Sequence, residues 1–333
     1  MSMKIQCNGG IVLGENELVI DPSNGKSKAG NVFITHAHSD HAQVKNREKN
    51  YFMSKETHSL IKTRNKVKGK IKEIRMGEKI KLNSSEIYLH PSGHILGSSQ
   101  IRVEGDKTIV FTSDFRLQDS LLFEGAEILP SDILVIESTF GLPEYVFPER
   151  EKVYEEMSKW MKENLSKNRF LVLGGYSIGK AQELTRIVNE FTEEIPLVHE
   201  KIFNANKVYE ENGVKLGKYI KLGQNLKESN VLIMPPHLME ESFLHYLSLS
   251  LGKSVAGGIA TGWDFYKKGV RGFPLSDHAD FNQLMRYVKE SSPKQVFTNH
   301  GFAKEFAHSI KRKLGINARP LDGGSQRTLS EFD

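Results

Sequence analysis

Through its first 140 positions the chain alternates short apolar runs with turn residues. "ELVID", "NVFIT", "EIYLHPSG", "SQIRVEG", "KTIVFTSD" and "DILVIES" each read as a strand, with Gly, Ser and Asn between them. The texture then changes. "PEREKVYEEMSKWMKENLSKN", residues 148–168, spaces its apolar residues for a helix and starts acidic. "RFLVLGGYSIGKAQELTRIVNEF" reads as strand, glycine turn and helix, a βα unit. "NVLIMPP" and "SVAGGIAT" predict further strands of that middle region. Beyond Phe273 the pattern predicts a helix from Phe281 to about Lys289, a strand at "KQVFTNHG" and a last helix over 303–314.

Five ionisable residues fall just beyond predicted strands: Asp21, His36, Asp114, Glu137 and His300. The carboxyl ends of strands line one rim of a layered α/β fold, where ligand sites gather on rigid supports. His36, His38, Asp40 and His41 crowd one turn, although the whole chain has only 12 histidines. Imidazole and carboxylate at that spacing suit zinc or a similar borderline ion. Four ligands so close strain to meet one ion, and dividing them between two is easier. His94, flanked by glycines in "SGHILGSSQ", and Asp114, with two carboxylate oxygens, are candidates to complete such a site.

The 333 residues, 38% hydrophobic and 26% charged, suit a globular protein of one large or two ordinary domains. The single cysteine, Cys7, excludes an internal disulfide and a cysteine-rich zinc knuckle, and leads to the expectation of a reducing cytoplasm. No apolar run is long enough to span a bilayer, and the start has no signal-peptide core. The net charge of +5 concentrates in "IKTRNKVKGKIKEIR", residues 61–75, and "FYKKGVRG", residues 265–272. Each is a candidate anion-binding surface or a solvated face. "GGYSIGKA" is close to a phosphate-binding P-loop, but Ala181 replaces the magnesium-holding hydroxyl. Ser177 and Lys180 there, with Lys267, Lys268 and Arg271, are expected to meet substrate phosphates. Asp280 followed by Gln283 reads as a helix capping box.

"THAHSDH", then "GHILGSS", then "TSD", preceded by the strand-end Asp21, resembles the metallo-β-lactamase superfamily. "ESTFG", "SDHAD" and "NHG" resemble the three additional motifs of its β-CASP group. The resemblance implies an α/β fold: an αββα sandwich, residues 1–141 and 272–333, carrying an inserted α/β β-CASP domain, residues 142–271. It implies a hydrolase that cleaves phosphodiester bonds of nucleic acid by a two-metal hydroxide mechanism, using two Zn2+ or, as an alternative activator, Mn2+. His36, His38 and His94 would hold one ion. Asp40, His41 and His300 would hold the other, with Asp114 between them and Asp21 orienting a ligand imidazole. His278 would face the phosphate and Glu137 would orient it. "ESTFGLPEYVFP" and "TGW" are similar to ligase-associated DNA exonucleases, which implies DNA as substrate and DNA ligase or repair partners. His300 is shared with the branch that processes messenger-RNA 3′ ends, and RNA is the alternative. A small-molecule thioesterase or lactonase and an inactive nucleic-acid-binding subunit are more distant alternatives.

Overall fold

The computed structural model describes residues 5–7, 11–13, 18–22, 30–64, 66–82, 85–223, 226–264 and 269–321. They form two compact units, the first of residues 1–117, 125–146 and 278–333 and the second of 118–124 and 147–277. No helix among the described residues is long and apolar enough to cross a membrane.

The first unit is a sandwich of two sheets that share a core, as expected from the sequence. One sheet of six strands runs in chain order from Ile5–Cys7 to Lys70–Ile74, and its last four strands, starting with Leu18–Ile20, are parallel. The other sheet has seven strands. Ile109–Phe111, Ile133–Glu137, Gln295–Asn299 and Asn317–Pro320 run parallel in that order, and an antiparallel meander closes the other side. The strands of the second sheet are apolar on both faces because both are covered. Ile109, Phe111, Val135 and Phe297 point into a core shared with Ile20, Phe33 and Phe52 of the first sheet. Val110, Leu134, Ile136 and Val296 point the other way, onto helices Phe281–Ser291 and Ala303–Leu314. That alternation is the period of two inherent to a strand. A one-residue slip would exchange the two cores, so the register is firmly specified. Helix Lys55–Lys62 packs on the first sheet and starts at Ser54, whose hydroxyl accepts from Thr57 N.

The second unit holds a six-stranded, wholly parallel sheet. Leu171, Leu173, Val231 and Ile233 face helices Arg150–Ser166 and Lys180–Phe191, while Phe170, Val172, Leu232 and Met234 face the opposite layer around Leu247. Burial on both faces explains the unbroken apolar runs of these strands. Helices Glu200–Glu211 and Glu241–Leu251 were not predicted from the periodicity. At Asp280 the cap forms as expected, with Oδ1 accepting from Gln283 N at 2.8 Å. The Gln283 carboxamide, however, accepts from Leu117 N at 2.9 Å, so its oxygen serves a neighbouring segment of the first unit.

Candidate metal centre

Strand ends of the first unit carry the polar cluster. Asp21 follows Leu18–Ile20, His36 lies three residues beyond Asn31–Phe33, Asp114 three beyond Ile109–Phe111, and His300 follows Gln295–Asn299. Glu137 is the last residue of its own strand. The chain turns sharply after His36, where Ala42 N donates to His38 O at 2.9 Å. His94 arrives on the loop joining two meander strands. Gly97, with φ +73°, lets that loop lie against Ser54 and Thr57, whose hydroxyls both donate to its carbonyl. A Cβ at Gly97 would sit 2.5 Å from Glu56 Cβ, so no larger residue fits there.

One ligand atom from each of His36, His38, His94 and Asp114 falls within 4.8 Å of the others. Asp114 Oδ2 stands 3.4 Å from His36 Nε2, 3.5 Å from His41 Nε2 and 3.7 Å from His94 Nε2. His94 Nε2 and His38 Nδ1 are 3.0 Å apart. Asp40 Oδ2 lies 3.4 Å from His41 Nε2, and the His300 ring centroid lies 5.4 Å from that of His41. Thus all seven residues expected as ligands come together, the first four tightly and Asp40 and His300 more openly around His41. His36, His41, His94 and Asp114 form a buried floor, while His38, Asp40 and His300 form a partly open rim.

The buried hydrogen bonds fix how the imidazoles point. Asp21 takes Thr35 N on Oδ1 at 2.8 Å, and on Oδ2 it takes the Thr35 hydroxyl at 2.5 Å and His41 Nδ1 at 2.8 Å. Having given its hydrogen to Asp21, the Thr35 hydroxyl can only accept from His36 Nδ1, 3.0 Å away. His36 therefore keeps its hydrogen on Nδ1 and presents a lone pair at Nε2, whereas His41, although buried, is held well above the usual histidine range by Asp40, Asp114 and Asp21, so a cation at its Nε2 would displace a proton. His36 Nε2 is buried and has no hydrogen-bond partner. A buried polar atom without a partner is costly, and a cation at this point would satisfy it. Burial and the neighbouring imidazoles of His41, His94, His38 and His278 hold His36 well below the usual histidine range, as a ligand nitrogen requires. Burial pushes Asp114 up, against the pull of His41 and His278, so an added cation would relieve a desolvated carboxylate. The donor set of imidazole and carboxylate fits zinc.

Beside this floor, His278 Nδ1 lies 3.0 and 3.2 Å from the two oxygens of Glu137. Glu137 also accepts from Phe115 N at 2.9 Å and from the Thr139 hydroxyl. Burial opposes its charge, yet His278, Thr139 and Phe115 N together hold its carboxyl below the ordinary range. The His278 ring stands 4.6 Å from that of His94.

Backbone strain gathers at the same place. Only five described non-glycine residues have φ in the left-handed region, and Asp21, Ser113 and His300 are three of them. Such strain persists where surrounding contacts enforce it, commonly at functional sites. Gly301, with φ +51°, brings its backbone so close to residue 138 that a Cβ would lie 2.4 Å from Ser138 O, and the Ser138 hydroxyl donates to Asn299 O and His300 O. Thr35, Ser113 and Thr139 are the members of the site that sequence reasoning missed. Each is a hydroxyl within two residues of a strand-end ionisable residue, a signal too common in sequences to stand out.

The expected phosphate contacts fare differently. Lys180 is 4% exposed in the second unit, where its Nζ donates to Leu275 O at 2.9 Å and pairs with Asp277 at 3.2 Å. It is a buried structural cation, which corrects the phosphate-binding expectation. The carbonyl of Ser177 accepts from Gln182 Nε2, and Gly179 N donates to Gln182 Oε1, so a side chain of the chain itself fills this turn. Arg271 pairs with Glu156 and lies over the Phe273 ring. Lys267 and Lys268 lie outside the described residues. Lys180→Ala removes the ammonium that faces the buried Asp277 carboxylate, and we expect it to destabilise the second unit by about 3–5 kcal/mol. Urea titration of the folded protein measures the loss.

A family profile described as "Zn-dependent metallo-hydrolase RNA specificity domain" matches residues 268–319. A protein named "Probable DNA ligase" from Opitutus terrae is 31% identical over 89% of this chain and 29% of its own length. An "RNase J-like protein" from Methanocaldococcus jannaschii is 26% identical over 68% of this chain and 66% of its own. The chain thus spans under a third of the first of these relatives and about two thirds of the second. A crystal structure of a protein of unknown function from Enterococcus faecalis V583 shares the fold, with a TM-score of 0.59 at 15% identity, over 90% of this chain and 81% of that one.

Proposed function

We propose that the chain is a metal-dependent nuclease of the β-CASP group of the metallo-β-lactamase superfamily, hydrolysing phosphodiester bonds of nucleic acid. The observation that carries this reading is the pairing of a buried His and Asp cage with an adjacent His278–Glu137 couple. His36, His38 and His94 would hold one cation and Asp40, His41 and His300 a second, with Asp114 within reach of both sets. Bound there, two divalent ions of the zinc type supply charge neutralisation of the phosphate and a water acidified enough to attack at neutral pH.

The remaining chemistry is that of the chain. Glu137 keeps a hydrogen on His278 Nδ1 and stabilises the imidazolium, so that His278 Nε2 can donate to a phosphate or leaving oxygen as charge builds. The His278 side chain is 25% exposed, whereas Glu137, at 1%, acts only through His278. Asp21 orients His41 directly and His36 through Thr35. Asp21→Asn exchanges an acceptor oxygen for a donor that faces the Thr35 hydroxyl and His41 Nδ1. We expect zinc affinity to fall about 10- to 100-fold, measured by competition with a chromogenic chelator.

DNA, attacked from an end, is the polymer we propose, supported by the similarity to the probable DNA ligase over nearly the whole of this chain. RNA is the second reading, favoured by the RNA specificity profile over residues 268–319. Labelled single- and double-stranded DNA and RNA, incubated with Zn2+ or Mn2+ beside His38→Ala, decide between them. A ladder from one labelled DNA end supports the first reading and internal cuts in RNA support the second. Equal activity in His38→Ala would overturn both.

A further inference from the structure

The proposed chemistry leaves unused the densest run of positive charge in the first unit. Lys62, Arg64, Lys66, Lys68, Lys70 and Lys72 occupy every second position, and all six are exposed. Between them Thr63, Val67, Gly69 and Ile71 are partly buried. The run passes from the end of helix Lys55–Lys62 into strand Lys70–Ile74, the last of its sheet among the described residues. Lys70 and Lys72 lie on the strand, where alternate side chains share a face and stand roughly 6.6 Å apart, and the alternation of exposed and partly buried residues runs back to Lys66, whereas Lys62 ends the helix. That repeat is comparable to the distance between successive phosphates of an extended nucleic-acid strand.

Nearby carboxylates do not neutralise this row. Glu73 holds His58, Glu86 holds Lys79, and Glu78 accepts from Arg75 N. Among the described residues no carboxylate is in ion-pair distance of Lys62, Lys66, Lys68, Lys70 or Lys72. Lysines on an edge strand also deter edge-to-edge association. That explains Lys70 and Lys72, but not Lys62 to Lys68, which precede the strand. The upstream part of the row reaches the metal centre, because the Arg64 guanidinium donates to Ala37 O, between His36 and His38, with the Asp40 charge close by.

From this geometry we infer that Lys66, Lys68, Lys70 and Lys72 are a track for the sugar-phosphate backbone of a single nucleic-acid strand, which Arg64 joins to the metal loop; the inference rests on the nuclease reading above. A single file of charges matches one backbone, not the two of a duplex. Each lysine neutralises one phosphate and releases its counterions, so the contact is independent of base sequence and weakens with salt.

The test is anisotropy of a fluorescein-labelled oligothymidylate with the full chain in EDTA, where binding is read without hydrolysis. The track variant is Lys66→Gln, Lys68→Gln, Lys70→Gln and Lys72→Gln together. The control removes the same charge from the second unit, with Lys152→Gln, Lys159→Gln, Lys162→Gln and Lys167→Gln; those four exposed lysines lie among Glu151, Glu155, Glu156 and Glu163. Circular dichroism confirms that both are folded. The track variant should bind at least about tenfold more weakly near 0.1 M salt, with a log–log salt slope shallower by about 0.7 per lysine removed. The control should stay within about twofold, since its lysines meet no phosphate. Equal losses in both variants, no loss in the track variant, no binding by the wild type, or an equal dependence on the track for duplex DNA would overturn the inference. The nuclease reading is judged separately by adding Zn2+. A wild type that binds through the track yet leaves the strand intact contradicts that reading alone, and cleavage with track-independent binding contradicts the track alone.

Discussion

Asp114→Asn is expected to abolish hydrolysis, by at least about 10³-fold, while leaving the metal-free protein no less stable. The Asp114 carboxylate is 6% exposed and lies within 3.7 Å of three imidazole nitrogens. Asparagine keeps the shape but loses the charge and one ligand oxygen, and it turns an NH2 toward nitrogens that need their lone pairs. A metal ion contributes several kcal/mol of transition-state stabilisation, and each 1.36 kcal/mol is tenfold in rate. Stability goes the other way because burial already disfavours the Asp114 charge, and an amide removes that cost. Thermal unfolding with and without zinc separates the two effects. The wild type should gain about 2.7 kcal/mol at zinc one hundredfold above its dissociation constant, and the variant much less. An Asp114→Asn protein that hydrolyses nucleic acid at the wild-type rate would remove the bridging role.

The second large effect belongs to Glu137, a positioning residue. In Glu137→Gln one side-chain oxygen can still accept from Phe115 N, but the amide then donates toward His278 Nδ1. The hydrogen on that ring moves to Nε2, and no carboxylate remains to stabilise the imidazolium. Neutral His278 can still donate from Nε2 but is a far weaker acid than the imidazolium, and loss of a general acid costs about 10²–10⁴-fold. We expect a fall in kcat within that range with KM little changed. A merely structural role would give a loss that adds to that of His278→Ala. If Glu137 acts through His278, the double variant should be no slower than His278→Ala alone, since residues that work as a unit are not additive.

Much of this centre was legible because its chemistry is tied to strand ends. The apolar runs before Asp21, His36, Asp114, Glu137 and His300 mark strands, and parallel strands bring such ends to one rim. Three histidines and an aspartate within one turn are rare enough to register. Thr35 and Thr139 carry equal structural weight through single hydroxyls, which no pattern distinguishes from ordinary turn residues. Lys180 misled because a glycine turn before a helix looks alike whether its lysine faces solvent or a buried Asp277. Sequence does not show burial. Strand Lys70–Ile74 was hidden for a related reason: only Ile71 and Ile74 are apolar in "KIKEI", and the charge run masks the alternation. Helix Glu241–Leu251 has apolar residues around most of its circumference but buries only Leu247, so it offers no clear stripe to read.

The metal cage itself is tested most directly by anomalous diffraction at the zinc edge from crystals of the zinc-loaded protein. Two peaks should appear roughly 3.5–4 Å apart. One should be within about 2.0–2.2 Å of His36, His38 and His94, the other at similar distances from Asp40, His41 and His300, with Asp114 reaching both. Zinc bound elsewhere on the protein, with no peak among these seven residues, would contradict the account.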